Sequence, residues 1–111
     1  MYVPDRGHIV WLNFNPQTGH EQAGHRPALV LSPASYNGKT GLALFCPISN
    51  KIKGYPFEVM IKGHTSISGV ALADQVKNLD WRARGLKFAA SVDESILEDV
   101  IAKFEALLRS A

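Results

Sequence analysis

Apolar positions recur at every second residue through most of this chain. In residues 8–14, Val10, Leu12 and Phe14 fall on one side and Ile9 and Trp11 on the other, which predicts a strand buried on both faces. Asn15-Pro16 breaks it, and a polar loop runs from there to Pro27. Residues 28–31 are continuously apolar and predict a central strand, stopped by Ser32-Pro33. Residues 34–37 fit one helical turn, and Asn37-Gly38 reads as a tight turn. Residues 42–48 predict a third strand ending near Pro47. After a basic loop at 49–54, Phe57, Val59 and Ile61 alternate with Glu58 and Met60, the pattern of a sheet with one face in the core. Residues 63–69 read as a turn and 70–76 as a strand; 80–84 form a short helical or 3₁₀ connector that leaves Arg82 and Arg84 on the surface, and 86–89 form a last brief strand.

The period then changes. Ile96, Leu97, Val100, Ile101, Phe104, Leu107 and Leu108 keep helical spacing, so the C-terminal segment is an amphipathic helix whose apolar stripe is core. Ser91 and Glu94 have the spacing of a capping box, and Asp93 and Glu94 favour the positive end of the helix dipole. Five or more short strands followed by one helix predict a mainly β, α+β fold: a small, strongly bent antiparallel barrel with a C-terminal helix. At 111 residues, with no internal repeat or linker, the chain makes one domain, 1–111. The polar loops at 15–27 and 49–54 each follow a strand, so they can meet at one end of the barrel.

Composition adds a charge asymmetry. The net charge of +2 combines a body, residues 1–90, that carries ten Lys/Arg and five Asp/Glu, with a tail, 91–111, that carries two and five. A body at +5 suits a polyanionic partner. The lone Cys46 sits in an apolar run and is read as a buried structural thiol, which fits a reducing compartment. No leader pattern opens the chain and no apolar run approaches the ~18 residues of a membrane span. The expectation is a cytoplasmic protein without membrane contact.

Chemistry concentrates in residues 19–27, where a carboxylate, an amide, two imidazoles and a guanidinium lie between two glycines and a proline. His8, His20, His25 and His64 lack HxxxH or HxH spacing, and no carboxylate cluster suggests a two-metal nuclease, so neither metal nor cofactor is expected. A nucleophile elbow and a phosphate-binding P-loop are absent from the sequence. What these residues do permit is metal-free handling of a phosphodiester. Arg26 is a planar, permanently charged fork for two phosphate oxygens. Glu21 can take a proton, and His25 can share that task or protonate a leaving oxygen. Ser49 offers a hydroxyl and Lys53 a further positive charge. RNA brings its own nucleophile, the 2′-OH. The plainer reading of the same residues is that Arg26 pairs with Glu21 to fasten the loop.

Several longer motifs narrow these alternatives. Tyr-Val-Pro-Asp at 2–5, Glu-Gln-Ala-Gly-His-Arg-Pro-Ala at 21–28, Val-Leu-Ser-Pro at 30–33, Lys-Gly-Tyr-Pro-Phe-Glu-Val at 53–59 and Gly-Val-Ala-Leu-Ala-Asp-Gln-Val-Lys at 69–77 closely resemble the MazF/PemK toxin family. The resemblance covers nearly the whole chain and weakens in the C-terminal helix. It implies an SH3-like β-barrel that forms a homodimer, acts as the toxin of a type II toxin–antitoxin pair, and cuts single-stranded RNA by 2′-OH attack to leave 2′,3′-cyclic phosphate and 5′-hydroxyl ends. It implies catalytic roles for Arg26, Glu21 and Ser49, the last replacing the family's threonine. Serine keeps the hydroxyl and loses the methyl that stiffens χ1. His25, Lys53, Phe14 and Gln75 are the expected RNA contacts. Some relatives pair an arginine with an aspartate on the fifth strand; here Asp74 matches the aspartate but Leu72 stands in the arginine's place, so Asp74 is read as structural and His20 as a surface residue. The expected partners are mRNA, a second copy of the chain, and an antitoxin whose flexible acidic tail covers the basic groove, promoter DNA being reached only through that antitoxin. The competing expectation is a non-catalytic toxin on the same barrel that poisons a protein such as DNA gyrase. The loop at 15–24, rich in glycine and poor in apolar anchors, is expected to be mobile without a partner.

Overall fold

A computed structural model describes residues 1–15, 19–20, 22–63 and 66–110. Seven strands and two helices follow in the order β1 (His8–Asn13), β2 (His25–Val30), α1 (Ala34–Thr40), β3 (Leu42–Ser49), β4 (Glu58–Met60), β5 (Val70–Leu72), β6 (Lys77–Asp80), β7 (Lys87–Ser91) and α2 (Glu94–Arg109), with a 3₁₀ turn at Trp81–Ala83. Every strand pairing is antiparallel, along the path β4-β5-β3-β2-β1-β7 with β6 also on β3. The sheet is strongly curved but its path stays open, since β4 and β7 end it without pairing to each other among the described residues.

Both faces of the sheet are buried, as the alternation in β1 predicts. Val10, Leu12 and Phe14 join Ala28, Val30, Ala43, Phe45 and Trp81 in one cluster. Ile9, Leu29, Cys46 and Ile48 face the other way, onto Ile96, Leu97 and Val100 of α2. Side chains alternate between faces with period two, so neighbouring strand residues serve different cores. The helical stripe is core only in its first half: Ile101, Phe104 and Leu107 are half-buried and Leu108 is exposed.

Several boundaries move for physical reasons. β2 begins at His25 rather than Ala28, because Asn13, Leu12 and Trp11 pair with His25, Arg26 and Pro27. Pro27 is tolerated because β3 pairs with β2 only from Ala28 onward, so at Pro27 the strand has one neighbour. β3 runs through Pro47 to Ser49 instead of ending near the proline. Its outer flank pairs with β6 as far as Phe45 and with β5 from Ile48, leaving Cys46 and Pro47 with only β2 beside them. The missing N–H at Pro47 therefore interrupts no ladder, and β3 changes outer partners there.

Of residues 70–76 only β5, Val70–Leu72, is strand and a turn follows it; the next strand, β6 at Lys77–Asp80, is one the sequence pattern did not reveal. α1 reaches Thr40, so Asn37-Gly38 lies inside a helix, and the reversal comes at Gly41 with φ 74°. Asn37 is fully buried and donates to the carbonyls of Pro4 (2.7 Å) and Ser32 (2.9 Å), while its own side-chain oxygen accepts from the Ser32 hydroxyl (2.6 Å). The expected capping box does not form. Ser91 is the last residue of β7, paired with His8, and Asp93 takes the cap position, with its carbonyl accepting from the Ile96 N–H.

Candidate active site

Ser49 ends β3, and Arg26 is the second residue of β2; the two strands are adjacent in the sheet. Both side chains line one cleft of about 450 Å³, together with Lys51 and Lys53 of the following loop and with Asp74 and Gln75 after β5. Arg26 is half-buried, and its Nε donates to the Ala23 carbonyl at 2.8 Å. That bond uses one of five guanidinium donors and orients the plane of the group. Ser49 is buried, and its hydroxyl accepts from the Lys51 backbone N–H at 3.1 Å, which engages a lone pair rather than the proton.

The loop carrying the lysines is anchored by Glu58, at the start of β4. Its carboxylate accepts from the backbone N–H groups of Lys53 (3.2 Å) and Gly54 (2.9 Å) and lines the same cleft. Lys53 is exposed, with its ammonium 5.8 Å from the centroid of the Tyr55 ring. Gln75 reaches across the cleft and its side-chain oxygen accepts from the Gln22 backbone N–H at 3.0 Å, which ties the loop before β2 to the segment after β5.

A second cleft of about 400 Å³ opens on the other side of Arg26, lined by Trp11, His25, Asn50 and Ser68. His25 is exposed and stacks on Trp11, the ring centroids 5.8 Å apart and the planes at 14°. Arg26 and Asn50 line both clefts, so the two spaces adjoin at these residues.

The site thus gathers Arg26, Ser49, Lys53 and Gln75 into one cleft and places His25 beside Arg26. Glu21 lies outside the described residues, as do Pro16, Gln17, Thr18 and His64, and with them much of the 15–24 loop. Phe14 is a correction. Only 1 % of its surface is exposed, its ring packs in the interior cluster, and it has no free face on which a base could stack. Asp74, read as structural, and His20, read as a surface residue, are each exposed and line the first cleft. Among the described residues no group of three or more His, Cys, Asp and Glu side chains is placed to hold a metal ion. No helix among them is long and apolar enough to cross a membrane.

Trp11 lines the second cleft without having been expected there, and Arg84 braces the chain between β1 and β2. Arg84 is not merely a surface charge, since its guanidinium donates to the carbonyls of Asn13 (3.0 Å) and Asn15 (2.9 Å). The Asn15 side chain in turn accepts from the Gly24 N–H (3.0 Å), so the neck of the loop between β1 and β2 is closed on both sides. Arg82 is also engaged, donating to the Gly38 carbonyl at 2.9 Å and lying over the Trp81 ring. The arginines' carbonyl partners are remote in sequence, which gives no local signal.

Comparison with known proteins supplies the family. A model of the PemK-like, MazF-like toxins of type II toxin–antitoxin systems matches residues 5–108. The endoribonuclease toxin MazF of Escherichia coli K12 is 51% identical over 107 residues, covering 96% of each chain. A crystal structure of MazF from Deinococcus radiodurans superposes with a TM-score of 0.95 at 56% identity, covering 97% of this chain and 98% of that one. A MazE–MazF structure from the same organism does so with a TM-score of 0.89 at 54% identity over the whole of both chains. The chain belongs to the PemK-like, MazF-like family of type II toxin–antitoxin toxins.

Proposed function

We propose that this toxin is a sequence-selective endoribonuclease that cuts single-stranded RNA without a metal ion. The observation that carries the reading is the convergence of Arg26, Ser49 and Lys53 on one open cleft, in a chain half identical to a named endoribonuclease over nearly its full length. In the reaction, the RNA 2′-oxygen forms a bond to phosphorus as the bond from phosphorus to the 5′-oxygen breaks. The products carry a 2′,3′-cyclic phosphate and a 5′-hydroxyl. Arg26 holds the non-bridging oxygens, where charge accumulates in the transition state, and the Ser49 hydroxyl donates to the same group. Glu21 takes the 2′-OH proton, and His25 returns one to the departing 5′-oxygen. RNA supplies the nucleophile, so neither metal nor covalent intermediate is needed.

Lys53 and Gln75, together with His25, also contact the RNA. The protein works as a homodimer in the cytoplasm, and its activity is held in check by an antitoxin whose flexible acidic tail lies in the same basic clefts. A MazE–MazF complex superposing on this chain supports an antitoxin partner, and the +5 charge of residues 1–90 suits carboxylates as well as phosphates. Promoter DNA is reached through the antitoxin alone.

The test is incubation with single-stranded RNA in excess EDTA, followed by end-group analysis. Discrete fragments with cyclic phosphate and 5′-hydroxyl ends are expected. Intact RNA, or 5′-phosphate ends, refutes the mechanism.

A further inference from the structure

Phe14 was the aromatic residue expected to stack against RNA, and the core claims it. A nuclease that selects single-stranded sequences needs a platform for splayed bases, and such platforms are commonly aromatic rings worth about 5- to 150-fold in affinity per stacked base. The remaining aromatic groups are placed differently: Tyr2, His8 and Phe88 pack on one another at the sheet edge formed by β7, Tyr36 is on α1, and Tyr55 lines the first cleft with the Lys53 ammonium 5.8 Å from its ring centroid. The cleft on the far side of Arg26 has the required features.

We propose that this second cleft is a nucleobase seat adjoining the scissile phosphate and that Trp11 is its stacking platform. The inference rests on the RNA-cleaving function proposed above and assigns the substrate a second binding position. Three observations carry it. Trp11 and His25 both line the cleft and stack with their planes at 14° and their centroids 5.8 Å apart, so the pair forms an aromatic wall. Arg26 lines this cleft as well as the first, so a phosphate held by the guanidinium leaves a neighbouring nucleotide within reach of that wall. The remaining lining supplies both parts of a base site: Pro27 and Ile48 give apolar surface, and the exposed Asn50 offers an amide with donors and an acceptor for a base edge.

β-Sheet geometry explains why Trp11 can do this when Phe14 cannot. In β1, Trp11 lies an odd number of residues from Phe14, so the two point to opposite faces. Phe14 goes into the interior cluster, while Trp11, opposite Pro27 in the neighbouring strand, is left half-buried and lines the cleft. The second tryptophan, Trp81, is buried at 5 % exposure and its indole N–H donates to the Asn37 carbonyl at 3.1 Å, so it takes no part.

The experiment uses the full chain and an RNA oligonucleotide carrying a cleavage motif mapped with the wild-type protein. In two versions, one nucleotide flanking the scissile phosphate, on the 5′ or the 3′ side, is made abasic. For the wild type, one of these is expected to raise KM about tenfold. Trp11→Leu, which keeps apolar volume without an aromatic face, should raise KM about tenfold on intact RNA and respond to that abasic site by less than about twofold, whereas Trp11→Phe should resemble the wild type. Titrating wild type with the same oligonucleotide made uncleavable by a 2′-deoxy sugar should quench tryptophan emission, and Trp11→Phe should abolish the quench. If Trp11→Leu discriminates against the abasic RNA as strongly as the wild type, or if neither abasic version affects the wild type, the inference is overturned and the cleavage reading stands. If the wild type leaves every RNA intact, the cleavage reading falls and this inference with it. Should Trp11→Leu not fold, the abasic pair and the Trp11→Phe quench still decide the matter.

Discussion

Gly69 makes a demanding test of how Ser49, the proposed catalytic serine, is held. It precedes β5 with φ +122°, and its backbone passes so close to the end of β3 that an added Cβ would press into the Ser49 carbonyl oxygen, 2.9 Å from the Ser49 carbonyl carbon and 3.2 Å from the Asn50 Cα. Backbone atoms on both sides cannot rotate away. A side chain held at that φ costs about 1–3 kcal/mol, and forcing the overlap apart costs about 1–3 kcal/mol more. At about 4 °C per kcal/mol for a domain of this size, Gly69→Ala should lower the melting temperature by roughly 8–24 °C. The displaced group is the backbone of Ser49, so cleavage measured at a temperature where both proteins are folded should fall by about tenfold or more. Gly54→Ala is the control: its φ of +79° is also left-handed, but nothing lies within 4 Å of the added Cβ, so only the backbone cost of about 1 kcal/mol applies. Circular dichroism melts and single-turnover cleavage of both variants decide it. A Gly69→Ala protein that melts within about 2 °C of wild type and cuts at an unchanged rate would refute the close approach.

Further outcomes follow from named contacts. Arg84→Ala removes both bonds to the loop neck at Asn13 and Asn15 and should raise KM by several-fold while costing about 1 kcal/mol of stability by urea titration; an unchanged KM would show that the neck does not position Arg26. Asp5 accepts from the backbone N–H groups of Ala34 (2.8 Å) and Arg6 (2.9 Å), and these bonds hold its carboxyl below the ordinary carboxylate value. A depressed folded pKa means that its stabilisation is present above the unfolded value of about 3.9 and is lost as pH falls through the folded one. Asp5→Asn should therefore melt below wild type at pH 7, with the gap closing at pH values under about 4; a gap that persists in acid would contradict the assignment. Cys46 is fully buried and burial pushes its thiol well above the usual range, so a thiol reagent should label it only in denaturant, and rapid labelling of the folded protein would contradict the packing.

Where function and fold are legible in the sequence, local pattern and tertiary environment agree. β1 is announced by alternation and α2 by helical spacing, because burial imposes those periods directly. Arg26, Ser49, Lys53 and Gln75 stand out by residue type and by their place in the family's motifs, and they share one cleft. β6 is hidden because Lys77-Asn78-Leu79-Asp80 offers a single large apolar residue and exists as a strand through its pairing with residues 42–45. The capping box fails for a related reason: β7 claims Ser91 for pairing with His8, and the helix starts later. Pro27 and Pro47 mislead because a proline interrupts a sheet only where a strand on its N–H side needs that donor, and each of these has one flank unpaired. Phe14 cannot be assigned to core or site from pattern alone, since its period-two position suits either; Trp11, one face over, is available to the site.

The most direct measurement of the central claim is the single-turnover rate of RNA cleavage by Arg26→Ala, in EDTA, on an oligonucleotide that the wild type cuts once. A fall of about 10²–10³-fold is expected, with Arg26→Lys recovering only part of it because an ammonium cannot present a planar fork to two phosphate oxygens. A folded Arg26→Ala protein that cleaves within about threefold of the wild-type rate would contradict the claim that this guanidinium stabilises the transition state.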